Sequence, residues 1–216
     1  MQKLALARFE SGELSTTASV LTQIMRLQQI CCGFLAPDDE PIQPVENHRL
    51  TELMSVLDEL QGKAIIWASW THNIQEIASA LRDRFGSEAV ATYYGQTPQD
   101  ERQEIIERFQ DPDNDLTFFV GQPTTGGYGI SLTAAHTVIY YSNNYDLEVR
   151  LQSEDRAHRI GQTNKVTYID LVCPGTIDEK ILKALRNKID LASQVLGEDA
   201  RNWLMLRHAR NVTLSQ

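Results

Sequence analysis

Lys63-Ala-Ile-Ile-Trp67 runs through Ala68-Ser-Trp70 into Thr71-His-Asn-Ile-Gln-Glu-Ile-Ala-Ser-Ala-Leu-Arg-Asp-Arg-Phe85. The first five residues are a β-rich run, and the segment from Thr71 to Phe85 carries a helical pattern. The same alternation continues along the chain. Ala89–Tyr94, Leu116–Val120, Thr137–Tyr141 and Val166–Val172 read as strands. Pro98–Phe109, Leu147–His158 and Ile177–Leu196 read as helices. Short strands alternating with amphipathic helices predict a parallel sheet covered on both faces, a three-layer α/β/α domain.

The helix starts are marked. Thr97-Pro98 offers an N-cap and an N1 proline before Asp100 and Glu101, whose charges suit a helix N-terminus. Thr176-Ile-Asp-Glu179 has the spacing of a capping box. Toward the N-terminus, Val20, Leu21, Ile24, Met25, Leu27 and Ile30 give a helix from about Thr16 to Ile30 that ends near Cys32-Gly33. Pro37-Asp-Asp-Glu-Pro-Ile-Gln-Pro44 is expected to be a loop, because three prolines and three acids sustain neither helix nor central strand. A helix over Glu46–Leu60 then leads into Gly62. This divides the chain into a helical segment with its acidic loop (1–45), the α/β domain (46–196) and a C-terminal extension expected to be helical (197–216).

The 216 residues are 42% hydrophobic and 23% charged, which is globular chemistry. No apolar run reaches the roughly 20 residues that span a bilayer, and no leader is visible, so the expectation is a cytoplasmic, nucleoid or nuclear protein. Three cysteines, an adjacent pair and Cys173, point to a reduced protein, and the histidines have no metal-ligand spacing. The net charge is −9. The first 60 residues hold 4 of the 20 basic and 9 of the 29 acidic residues, so the acidity is spread along the chain. The chain alone is therefore expected to bind duplex DNA weakly, and any nucleic-acid contact needs a local groove or a second domain.

In a parallel sheet the chemistry sits in loops at the carboxyl ends of the strands. Three such ends are informative. One is Ala68-Ser-Trp-Thr-His-Asn73, and the second is Gly121-Gln-Pro-Thr-Thr-Gly126-Gly-Tyr-Gly129-Ile-Ser-Leu132. The third, one helix after its strand, is Gln152-Ser-Glu-Asp155-Arg156-Ala-His-Arg159-Ile-Gly-Gln162. Arg156 and Arg159 are i,i+3 on the expected helix, so two planar guanidinia could converge on one polyphosphate. On an arbitrary helix such arginines more often pair with neighbours such as Glu154 and Asp155. The glycines allow close backbone approach to a ligand, although three in four positions often make a plain turn. No GxxxxGK[ST] occurs in the sequence. Arginines without a phosphate cradle act on a ligand held elsewhere.

The run Gly126-Gly-Tyr-Gly-Ile-Ser-Leu-Thr-Ala-Ala-His-Thr-Val-Ile-Tyr-Tyr141, followed by Gln152 to Thr167, closely resembles the second RecA-like lobe of Swi/Snf-type ATPases of helicase superfamily two. Gln152–Gln162 matches that family's sixth motif, QxxDRxxRIGQ, and Gly126–Leu132 its fifth. Ile65–Thr71 resembles the fourth, and Tyr94-Gly-Gln-Thr97 with Glu101-Arg102 the segment after it. Val172–Ile181 and Arg26–Cys31 are also similar to the family. Two positions depart from it: Gly121-Gln-Pro-Thr-Thr stands where Ser-x-x-Ala is common, and Ser131 where asparagine is usual.

The resemblance implies a RecA-like fold and a second motor lobe of an ATP-dependent DNA translocase. It implies that Arg156 and Arg159 are arginine fingers for Mg-ATP held by a first lobe outside this chain. Gln152, Gly127, Gly129 and Asp155 would lie at the nucleotide, with Asp155 orienting Arg156. Ser69, Trp70, Gly95, Thr97, Thr124 and Thr125 would face the DNA backbone, while His136 and His158 read as structural. The chain alone is expected to be inactive as an ATPase, and truncating either arginine is expected to be nearly neutral for folding because an open lobe exposes both. A lobe of an RNA or strand-separating helicase is the alternative within the class. A non-catalytic nucleic-acid-binding or regulatory module of the same fold is the alternative outside it.

Overall fold

The computed structural model describes residues 17–37, 41–125, 130–158, 165–196 and 211–213. The decisive stretch is strand β3 (Lys63–Trp67), which lies inside a parallel six-stranded sheet. Its partners are β5 (Phe118–Gly121) on one side and β6 (Ala135–Tyr140) on the other. Beyond these come β4 (Val90–Tyr93) at one edge, and β7 (Thr167–Val172) then β8 (Asn211–Thr213) at the other. Ile65 pairs with Phe119 and Val138, and Ile66 with Val120 and Ile139, so the register is set by apolar residues from three strands.

Successive β3 side chains enter opposite cores, as a period of two demands. Ala64 and Ile66 pack with Leu53 and Leu57 of α2 (Arg49–Asp58) and with Ile74, Ile77 and Leu81 of α3 (Thr71–Phe85). Ile65 and Trp67 pack on the other face with Phe109 of α4 (Gln99–Gln110) and Ala157 of α5 (Leu147–Ala157). Ile65, Ile66 and Trp67 are all fully buried. A continuous apolar run rather than an alternating one is what this two-sided burial requires. The three-layer α/β/α architecture expected from the sequence is present.

Helix α1 (Thr17–Cys31) ends where Gly33, at φ 90°, reverses the chain with its N–H on the Ile30 carbonyl. A side chain at Gly33 would also strike the amide of Asn47. The proline-rich stretch is not wholly loop. Its Gln43–Pro44 forms β2, an exposed two-residue strand paired antiparallel with β1 (Phe34–Leu35), an edge position that tolerates proline. Residues 38–40 lie outside the described residues. Helix α2 begins at Arg49 rather than Glu46, because the Asn47 side chain accepts the Arg49 N–H at 2.9 Å in a turn before the helix.

Two further expectations are corrected. Thr97 does not cap α4; Pro98 holds the cap position, and the Thr97 hydroxyl is committed to its own turn. The C-terminal extension is not helical throughout. Residues 211–213 form β8, parallel to β7 with Val212 opposite Leu171, and β-branched Val212 and Thr213 suit that open edge. The rest of 197–216 lies outside the described residues. Thr176 does cap α6 (Ile177–Leu196), accepting the Asp178 N–H at 3.3 Å. No described helix is long and apolar enough to cross a membrane.

Candidate functional site

All strands of the sheet are parallel, so the loops after β4, β5, β3 and β6 emerge along one edge. Hydrogen bonds tie three of them together. Ser69, after β3, donates its N–H to the Ser142 hydroxyl after β6 at 2.9 Å, and its carbonyl accepts from Gln122, after β5, at 3.3 Å. Gln122 also donates its N–H to the Tyr93 carbonyl at the end of β4, at 3.1 Å. Ser69, Pro123, Ser142, Asn143, Val149 and Arg150 line a shallow cleft on this edge.

Arg156 belongs to this edge from the helix side. It is only 7% exposed, which overturns the expectation of an exposed side chain. Its Nη1 donates to the Thr125 carbonyl at 3.2 Å and its Nη2 to the Pro123 carbonyl at 3.3 Å, with the guanidinium carbon 5.7 Å from the centre of the Trp67 ring. Its own carbonyl accepts the Leu132 N–H at 2.8 Å. One residue thus holds the chain on both sides of 126–129. That segment contains Gly127 and Gly129, which lie outside the described residues, as does Arg159. Helix α5 stops at Ala157, with His158 out of helical conformation at ψ 83°, so the i,i+3 geometry assumed for Arg156 and Arg159 does not rest on a continuous helix.

Gln152 is exposed on α5 and donates to Glu148 at 2.8 Å. Asp155, one residue before Arg156, is half-buried. Among the residues expected to face nucleic acid, Thr124 and Gly95 are exposed, and Ser69 and Thr125 half-buried. A Cβ on Gly95 would meet nothing within 4 Å, so neither crowding nor a positive φ demands glycine there. Thr125 donates its hydroxyl to Gln122 at 3.2 Å. Thr97 is 7% exposed, and its hydroxyl accepts the Tyr94 N–H at 3.0 Å while donating to the Thr92 carbonyl at 3.1 Å. It builds the turn that presents Gly95, with Arg102 pinning the same turn through the Thr97 and Tyr94 carbonyls. Trp70 is half-buried against Phe34 in an edge-on contact at 5.9 Å.

A second arginine on α5 escaped the sequence reading. Arg150 is 4% exposed, stacks 3.4 Å over the Tyr140 ring and holds Asp170 at 2.5 and 3.3 Å, Glu154 at 2.6 Å and the Asn143 side chain at 2.7 Å. Burial opposes its charge, but Asp170, Tyr140 and Glu154 outweigh that, and the guanidinium pKa rises. The Tyr140 hydroxyl, pushed upward by burial, shares a 2.6 Å hydrogen bond with Ser153. The signal was present: Asp170 is a carboxylate inside an otherwise apolar strand, and Arg150 and Glu154 are spaced i,i+4.

Residues 46–161 match the family model described as the helicase conserved C-terminal domain. The chain is 40% identical over 191 residues to the human SWI/SNF-related matrix-associated actin-dependent regulator of chromatin subfamily A member 1, covering 83% of this chain and 18% of that protein. It is 41% identical over 103 residues to the human chromatin-remodeling ATPase INO80, covering 48% of this chain and 7% of that protein. Among solved structures it is similar to the C-terminal part of the Fun30 ATPase domain. The TM-score is 0.59 at 26% identity, over 76% of this chain and 56% of that one. The chain therefore corresponds to a small part of these curated relatives, less than a fifth of either.

Proposed function

The chain belongs to the helicase conserved C-terminal domain family, with the second RecA-like lobe of Swi/Snf-type ATPases, and from that premise we propose that it works as the second motor lobe of an ATP-dependent DNA translocase. In this reading ATP and Mg²⁺ are held by a first lobe outside these 216 residues, since the sequence has no phosphate-cradling loop. Arg156 and Arg159 supply positive charge to the transferring phosphoryl group. One relative is named a chromatin-remodeling ATPase and the other a regulator of chromatin, which favours duplex DNA over RNA as the track.

The observation that carries the reading is the state of Arg156. Its buried guanidinium is oriented on the carboxyl edge of the sheet, where it donates to two neutral carbonyls at 3.2 and 3.3 Å. Phosphoryl oxygens would be stronger acceptors, because both partners would then be charged. Closure against the first lobe offers Arg156 that exchange, and the loop it releases carries Thr124 and Thr125. The arginine and the loop would therefore move together, which gives hydrolysis a route to the nucleic-acid face. Thr124, Gly95 and Ser69 are the contacts favoured for the DNA backbone, with Trp70 and Thr97 shaping their loops.

The test joins this chain to an upstream ATPase lobe and measures duplex-stimulated ATP hydrolysis. Arg159→Ala and Arg156→Ala should each lower turnover by ~10³–10⁵, with nucleotide affinity held within roughly tenfold. Lysine should rescue little, because it lacks the planar fork. Near-normal turnover in both alanine variants overturns the arginine-finger role. Stimulation by RNA but not by duplex DNA would move the protein to the RNA branch.

A further inference from the structure

A cluster on the far side of α2 serves no part of the proposed motor. Arg49 is fully buried, and its guanidinium pairs with Asp178, donates to the Tyr141 carbonyl and to the Leu171 carbonyl at 3.2 Å, and reaches the Cys173 sulfur at 3.2 Å. Cys173 follows β7 and is half-buried, whereas Cys31, the last residue of α1, is buried. The Cys173 Sγ donates to the Cys31 carbonyl at 3.7 Å, which brings the two cysteines into contact. Cys173 is thus a partly open sulfur held between a fixed guanidinium and a second cysteine. Asp178 also accepts the Cys173 N–H at 3.1 Å, and Thr176 donates to the Cys173 carbonyl at 2.7 Å, so the turn is rigid.

We propose that Cys173 and Cys31 are a peroxide-reactive thiol pair whose oxidation closes a disulfide between the end of α1 and the turn that opens α6. Arg49 favours the thiolate of Cys173, the form that reacts. The Cys173 thiolate attacks one peroxide oxygen; the S–O bond forms, the O–O bond breaks, and the hydroxide released takes up a proton to become water. The Cys31 sulfur then attacks the Cys173 sulfenic acid. The S–S bond forms, the S–O bond breaks, and the hydroxyl leaves as water with the Cys31 proton. Two thiols and one peroxide give one disulfide and two waters.

The groups facing Cys173 are Cys31 at the end of α1, Cys32 just after it, Arg49 from α2, Asp178 from α6 and Tyr141 after β6. Its neighbour Cys31 lowers the Cys173 pKa most, burial opposes it, and the Arg49 guanidinium lowers it further. Cys31 is pushed the other way, first by Cys173 and then by burial, so it keeps the proton. Burial raises Cys32 to about 12.

The 216-residue chain is alkylated with iodoacetamide across pH 5–9, and the modified cysteines are identified by peptide mapping. Cys173 should show a rate midpoint below the ordinary thiol value. At pH 7 it should react roughly tenfold or more faster than buried Cys32. A midpoint at the ordinary thiol value of about 8.5 overturns the proposal. Treatment with hydrogen peroxide before mapping should yield a peptide linked through Cys173. The link should persist in Cys32→Ser and vanish in Cys31→Ser. No linked peptide from the wild-type chain, or a link surviving Cys31→Ser, overturns it. The wild-type measurements are decisive even if a variant folds poorly.

Discussion

Arg150 and Arg156 sit six positions apart on one helix, and both are less than a tenth exposed, yet their surroundings differ in kind. Arg150 faces anions: Asp170 and Glu154 hold it against the Tyr140 ring. Arg156 donates to the Pro123 and Thr125 carbonyls of the loop after β5, acceptors that carry no formal charge. A buried cation with buried anions cannot leave without stranding them, so Arg150 is fixed. A hydrogen bond from a guanidinium to a carbonyl can be exchanged for a stronger one to a charged acceptor, and the carbonyl left behind carries no charge to strand. Burial alone thus does not separate scaffold from machinery; what removing the arginine leaves stranded does.

The largest expected effect breaks the comparison most sharply. In the two-lobed protein, Arg156→Ala should cost ~10³–10⁵ in duplex-stimulated turnover, equivalent to about 4–7 kcal/mol, while the protein stays folded. Arg150→Met should instead lose the fold before the chemistry. Removing one member of a buried ion network costs about 3–5 kcal/mol, so thermal melting should fall by roughly 6–20 °C for a chain of this size. If Arg150→Met melts normally and Arg156→Ala keeps its turnover, the contrast between the two arginines is wrong.

The folding cost of Arg156→Ala should lie below that of Arg150→Met, at about 1–3 kcal/mol, since two long charge-assisted hydrogen bonds are lost. This replaces the near-neutral outcome expected from sequence. Chemical denaturation of the isolated lobe measures it. A loss as large as that of Arg150→Met would make Arg156 a structural residue and remove it from the phosphate.

The fold was legible because its signal is local: buried β-rich runs and helical periods each declare themselves within a few residues. Ile65 and Ile66 were readable as two-sided burial before any partner strand was known. The candidate site was legible only in part. The sixth motif identified Arg156, but burial against Pro123 and Thr125 depends on a loop some thirty residues upstream, and no spacing rule reports it. Thr97 failed for a similar reason. Its sequence context promised a helix cap, but the Tyr94 N–H and Thr92 carbonyl, presented by the preceding turn, took the hydroxyl first. The 211–213 strand was missed because its partner, β7, lies some forty residues upstream, and three residues carry almost no periodicity.

The smallest effect tests whether partner charge matters without burial. Arg84 and Asp58 form a two-pronged pair at 2.8 and 2.7 Å, geometrically as good as Arg150 with Asp170, but their side chains are 53% and 38% exposed. Water and salt compete for both charges there, and ordering two mobile side chains offsets part of the attraction. Arg84→Ala should therefore cost about 0.2–1 kcal/mol, with some of that loss due to its packing beside the Phe85 ring, 5.8 Å from the guanidinium carbon. The electrostatic part should fade between low salt and ~1 M, where the Debye length is about 3 Å. The Arg150→Met penalty, set in a water-excluded nest, should hardly change over that range. Matched denaturation curves at both salt concentrations measure the two together. Equal salt dependence of the two penalties would mean that the Arg150 nest is open to solvent, and its role as a fixed anchor for α5 would fall.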